Sequence, residues 1–199
     1  MEVVCRDMKK LFSKLPVMQG DRLTIRPLEL SDANSLKEMT ESEEVYRYLP
    51  TFLFEKKYND TEYVIKHLYD ECLEDSLILG VFFGEDFCGL AEMYAYRPLL
   101  KKISVGIRLV QKYWGSGVAS ETLELMTEYI FNETNIELVG ASTMTKNEAA
   151  GNVLKRHGFK RIAHGIYENW GLEKPVAADV WVKTGVGHRI EKHKADTRS

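Results

Sequence analysis

The chain is 199 residues long, 44% apolar and 29% charged, and carries a net charge of −3. That length suits one domain with a full core, and the charge supplies no basic field for nucleic acid. No apolar run approaches the roughly eighteen residues of a membrane span. Cys5, Cys72 and Cys88 are scattered and odd in number, which argues against a disulfide framework or a zinc site. The five histidines (His67, His157, His164, His188, His193) fall in no paired-ligand spacing, so no metal is expected. Residues 1–20 lack an apolar segment followed by a cleavage site, and a cytoplasmic location is expected.

Taken in order, residues 1–20 read as an extension with a short amphipathic helix, because Met8, Leu11, Phe12 and Leu15 recur at helical spacing before Pro16. Residues 22–28 alternate polar and apolar, as in a strand. Ser31 is the expected cap of a helix reaching about Thr40, and residues 43–49 add a helical turn or two before Pro50. Asn59 or Thr61 caps the next helix, whose apolar face is Val64, Leu68 and Cys72. Residues 77–83 and 87–94 flank Gly84-Glu85-Asp86 as a hairpin. Residues 103–110 form a further strand, antiparallel to the one before, and a helix follows to Phe131. Residues 137–143 return parallel to 103–110 across that helix. A helix from Lys146-Asn147-Glu148 ends at Gly158, which has the place of a C-terminal cap. Strands at 159–166 and 178–183 close the fold around a loop with Gly171 and Pro175, and 185–199 is a charged tail. The fold class is therefore mixed α/β (α+β). It is one domain over 21–184, with a central, mostly antiparallel sheet of about six or seven strands and helices on both faces.

The junction at Leu109 to Ala119 carries the chemistry. Two glycines, Gly115 and Gly117, stand between a strand and a helix. Glycine permits a tight turn, and a helix N-terminus presents unpaired N–H donors, so the stretch is a phosphate cradle or an ordinary turn.

The chain resembles the GNAT acyltransferases, and among them the branch containing the ribosomal-protein N-terminal acetyltransferases. The matching residues are Arg22 to Leu28 with Asp32-Ala33, then Val45 to Pro50, the run Tyr113 to Glu121, Asn147 to Ala150 followed by Gly158-Phe159, and Asp179 before Val180-Trp181. Each match is weak by itself; their order is what carries the resemblance. It implies acetyl-CoA as co-substrate and a splayed parallel strand pair that admits its pantetheine arm. The pyrophosphate would sit on backbone N–H groups of Trp114, Gly115, Ser116, Gly117, Val118 and Ala119. The pantetheine amides would pair with Leu109 and Val110. Lys112 would add a point charge, and Asn147 and Asn152 would meet the cofactor or tie the strands; Asn147 also reads as a helix cap. A primary amine, on a protein N-terminus or a small molecule, would attack the thioester directly. A homodimer is compatible with the pattern.

The sequence departs from the family where proton transfer is concerned. The strand position often held by a glutamate is Ser104, the usual tyrosine position is Leu154, and a serine position of the branch is Ala150. Glu92 reads either as a surface strand charge or as a substitute base acting through a water; Tyr94, Tyr96, Tyr167 and His164 are alternative candidates. The competing reading is an acyl-CoA-binding sensor of the same fold with little or no turnover.

Overall fold

A computed structural model describes residues 8–49, 60–170 and 173–185. The expectations for Cys5, Pro50, Asn59, Gly171, His188, His193 and the tail from residue 186 lie outside these residues.

Eight strands form one sheet: β1 (Met18–Gln19), β2 (Leu23–Arg26), β3 (Ser76–Phe83), β4 (Asp86–Arg97), β5 (Lys102–Leu109), β6 (Leu138–Met144), β7 (Lys160–Glu168) and β8 (Val176–Thr184). Their order across the sheet is β1-β2-β3-β4-β5-β6-β8-β7. Every neighbouring pair is antiparallel except β5 and β6. The expected hairpin, the parallel return and the last two strands are all present. The added strand is β1, whose two residues are too short to show a period.

The helices are α1 (Met8–Leu11), α2 (Ala33–Thr40), α3 (Thr61–Glu71), α4 (Val118–Glu133) and α5 (Glu148–Arg156). They bury two cores, one on each face of the sheet. One core joins α1, α4 and α5 through Met8, Phe12, Val118, Met126, Ile130 and Leu154. The other joins α2 and α3 through Leu36, Met39, Val64 and Leu68. Strand alternation serves both: Leu77 and Leu79 of β3 face the first core, Ile78 and Phe82 the second. Residues 8–19 are thus part of the packed structure, with Phe12 stacked on Tyr129 at 6.5 Å between ring centres.

Three local expectations change. Ser31 does not cap α2; a 3-10 turn at Leu30–Asp32 precedes it, and the Asp32 carboxylate accepts the Glu29 N–H at 2.8 Å and pairs with Arg26. Asp60 caps α3, accepting from the N–H groups of Glu62 and Tyr63 at 3.0 and 3.2 Å. A carboxylate one residue before Thr61 reaches two open donors, which Thr61, already inside the helix, cannot do. Residues 43–49 form successive three-residue turns in place of an α-helix.

Candidate active site

Strands β5 and β6 pair only at Lys102↔Leu138, Ile103↔Val139 and Ser104↔Gly140. Beyond that rung β5 continues to Leu109 on its β4 side and β6 continues to Met144 on its β8 side. The sheet therefore opens between them as a wedge. The Val110 N–H donates to the Cys88 carbonyl at 2.9 Å, on the β4 side. By strand alternation, the backbone groups of Ile107 and Leu109 edge the wedge instead. The Val110 carbonyl accepts from the Tyr113 N–H at 3.0 Å. Bound to Cys88, the Val110 N–H is not open to the wedge, and Ile107, which no motif marked, edges it beside Leu109.

The chain then turns through Gln111–Tyr113 and is latched back onto β5 by the Trp114 indole, which donates to the Leu109 carbonyl at 2.9 Å. The Trp114 N–H is spent on Gln111 at 3.0 Å and the Ser116 N–H reaches Tyr113 at 3.4 Å. Neither is an open phosphate donor, contrary to expectation. The Ser116 hydroxyl folds back too, onto Tyr113 at 2.6 Å. Gly117 is the N-cap of α4 with φ +88°, and no side chain caps the helix. The left-handed backbone is what glycine supplies here. The N–H groups of Gly117, Val118 and Ala119 thus head a 16-residue helix at its positive dipole end.

Lys112 does not face this turn. Its ammonium lies 4.9 Å from the Tyr113 ring centre, and its pKa is raised first by the hydrogen bond with that phenol. A cation missed in the sequence stands there: Arg22, just before β2. Its Nε donates to Glu121 Oε2 at 2.8 Å, and the N–H groups of Arg22 and Leu23 both donate to Glu121 Oε1. Burial raises the Glu121 pKa, but these bonds outweigh it and hold the carboxyl below its usual value.

The opposite face of the wedge is polar. Ala91 and Met93 point into the α1/α4/α5 core, so Glu92 and Tyr94 point the other way. Glu92 is opposite Gly106 and Tyr94 is opposite Ser104, the last residue paired before the wedge. The Glu92 carboxylate is held by buried Arg108 at 2.8 Å and lies over Gly106, 3.9 Å from where a Cβ would stand. Tyr94 has its pKa raised by burial and then by the charges of Glu92 and Glu168, so its phenol keeps its proton. Glu168 accepts from the Trp170 indole at 2.7 Å and from Ser142 at 3.4 Å. Leu154, at the usual tyrosine position, is buried in the core.

On the far side, Asn147 caps α5 by accepting the Ala150 N–H at 3.2 Å. Asn147 and Asn152 both line a cleft of about 520 Å³ with Lys155, Arg161, Asp179 and Trp181; no residue of 109–119 lines it. Sequence spacing could not show that Asn152 faces β7 and β8. Asp179 is buried and accepts from Thr145, Arg161, His164 and the Gly165 N–H. Its pKa is pushed to about 2: burial opposes ionisation, but the Gly165, Arg161, Thr145 and His164 bonds prevail. His164 is thus an Asp179 partner. Among the described residues no group of three or more His, Cys, Asp or Glu residues is placed to hold a metal, and no helix is long and apolar enough to cross a membrane.

The wedge, the left-handed glycine and the uncapped helix fit an extended thioester with a pyrophosphate at one end. Known proteins agree. Residues 22–160 match the model of the acetyltransferase (GNAT) domain. An uncharacterised N-acetyltransferase, YoaA of Bacillus subtilis (strain 168), is 22% identical over 163 residues, covering 77% of this chain and 90% of its own. The structure of RimL, a ribosomal-protein acetyltransferase in complex with coenzyme A, superposes with a TM-score of 0.72 at 15% identity, covering 85% of this chain and 98% of that one. A spermidine N-acetyltransferase from Vibrio cholerae, bound to CoA and spermine, gives 0.67 at 18% identity, covering 83% and 96%. The chain belongs to the GNAT family of acetyl-CoA-dependent N-acetyltransferases.

Proposed function

We propose that this chain acetylates a primary amine, on a protein N-terminus or a small molecule, by direct attack on acetyl-CoA with no covalent enzyme intermediate. The observation that carries the reading is the coincidence of the wedge beyond Ser104↔Gly140 with the uncapped, glycine-led N-terminus of α4. Gly117, Val118 and Ala119 offer N–H groups to the pyrophosphate, and Ile107 and Leu109 offer backbone groups to the pantetheine arm. Fixing both ends places the thioester carbon at the wedge, so that positioning does much of the work. The amine enters from the Glu92 face, where Glu92 accepts its proton through a water and Tyr94, kept protonated, donates a hydrogen bond to the leaving thiolate, which takes its proton from solvent. Asn147 holds the first turn of α5 on the far side of the wedge. The reading takes the enzyme to act in the cytoplasm.

Thiol release from acetyl-CoA across a panel of peptides, polyamines and amino acids, with the product identified by mass, tests this. Amine-dependent release with an N-acetylated product is expected. CoA binding without release for any amine would favour the sensor reading.

A further inference from the structure

Arg22 reaches the glycine turn from a strand that is remote in sequence. Its Nη1 lies 3.5 Å from the Ser116 carbonyl. Beyond the adjoining residues, Arg22 Nη2 is what a Cβ at Gly117 would meet, at 3.3 Å. Nε is spent on Glu121, but each Nη carries two protons, and the side chain is 45% exposed at the mouth of the turn. Glu121 lies in the first turn of α4, where an uncompensated carboxylate would repel an incoming diphosphate. Arg22 offsets that charge while its outer edge faces the same space. Lys112, the basic residue of the motif itself, is turned toward Tyr113.

We propose that Arg22 is a cofactor-binding residue: its guanidinium, held by Glu121, closes the turn over the pyrophosphate and supplies the cation that Lys112 does not. The proposal rests on the acetyl-CoA reading above. The planar fork suits two phosphate oxygens, whereas a lysine would bring a single point charge. Selectivity follows: Arg22 acts on CoA thioesters and not on thioesters of pantetheine alone, which lack the diphosphate.

Calorimetric titration of the wild type, Arg22→Ala and Arg22→Lys with CoA and with pantetheine tests this. Arg22→Ala should weaken CoA about tenfold and flatten its salt dependence, Arg22→Lys should fall between, and pantetheine should change by less than about twofold. Equal weakening of both ligands would make Arg22 a strut for the fold and overturn the proposal, as would unchanged CoA affinity. In the wild type, phenylglyoxal modification of Arg22, followed by mass spectrometry, should be slowed by CoA but not by pantetheine. Equal rates would overturn the proposal even if Arg22→Ala fails to fold. A wild type with no affinity for CoA would instead sink the acetyl-CoA reading itself.

Discussion

Single residues set the chemistry of both ends of the site. Asp179 is the most heavily bonded carboxylate described, and its pKa falls from 3.8 to about 2 on folding. A depressed carboxyl stabilises the fold above its unfolded pKa and loses that contribution as pH falls through the folded value. Asp179 should therefore contribute about 2 kcal/mol at neutral pH, fading between about pH 4 and pH 2. Urea denaturation of Asp179→Asn should show this deficit at pH 7 and a smaller one at pH 3; a constant deficit would assign the loss to geometry. Glu92 carries the catalytic proposal. Glu92→Gln keeps an acceptor for Arg108, so stability should fall by only about 1–3 kcal/mol. Turnover should drop about tenfold or more while CoA affinity holds. A wild-type pH–rate profile in this variant would remove Glu92 as the base. The resemblance set Ser104 and Leu154 where the family often carries a glutamate and a tyrosine. It did not show that Glu92 hangs over Gly106, because that depends on the register between strands.

The α4 N-terminus is where an element makes the site. Gly117 provides a positive φ, and the lack of a side-chain cap leaves donors open. Gly117→Val would force a branched side chain into a left-handed backbone and against Arg22, at a cost of about 1–2 kcal/mol. Its CoA affinity should fall more than about tenfold in calorimetry, with circular dichroism unchanged. Undiminished affinity would place the pyrophosphate elsewhere. At this scale the sequence was readable wherever a signal was local. Gly84 in the hairpin, Asn147 at the start of α5 and Gly158 at its end all stand where the pattern put them. It misled where two residues compete for one role, as with Ser31 against Asp32 and Thr61 against Asp60. It was silent on which N–H groups are already spent. Val110 and Trp114 look like donors until Cys88 and Gln111 are seen accepting from them.

Across the molecule, the hairpin, its antiparallel neighbour and the parallel pair were legible because each of those connections is short or helical; the insertion of β8 between β6 and β7 was not. The missing pieces are long-range. Arg22 and Glu121 are 99 residues apart, and no periodicity links them. That same contact has a kinetic meaning. β2 pairs with β3 across the intervening helices, and its leading residues meet α4, later still in sequence. Contacts so distant carry a higher loop-closure cost than contacts between neighbouring strands, and slow folding accordingly. The β3–β4–β5 meander, built from neighbours, needs no such closure. A chain that has released β2 keeps the wedge but loses the clamp on its glycine turn. If Arg22 binds the cofactor as proposed, cofactor affinity in this protein is a gauge of whether β2 has come home.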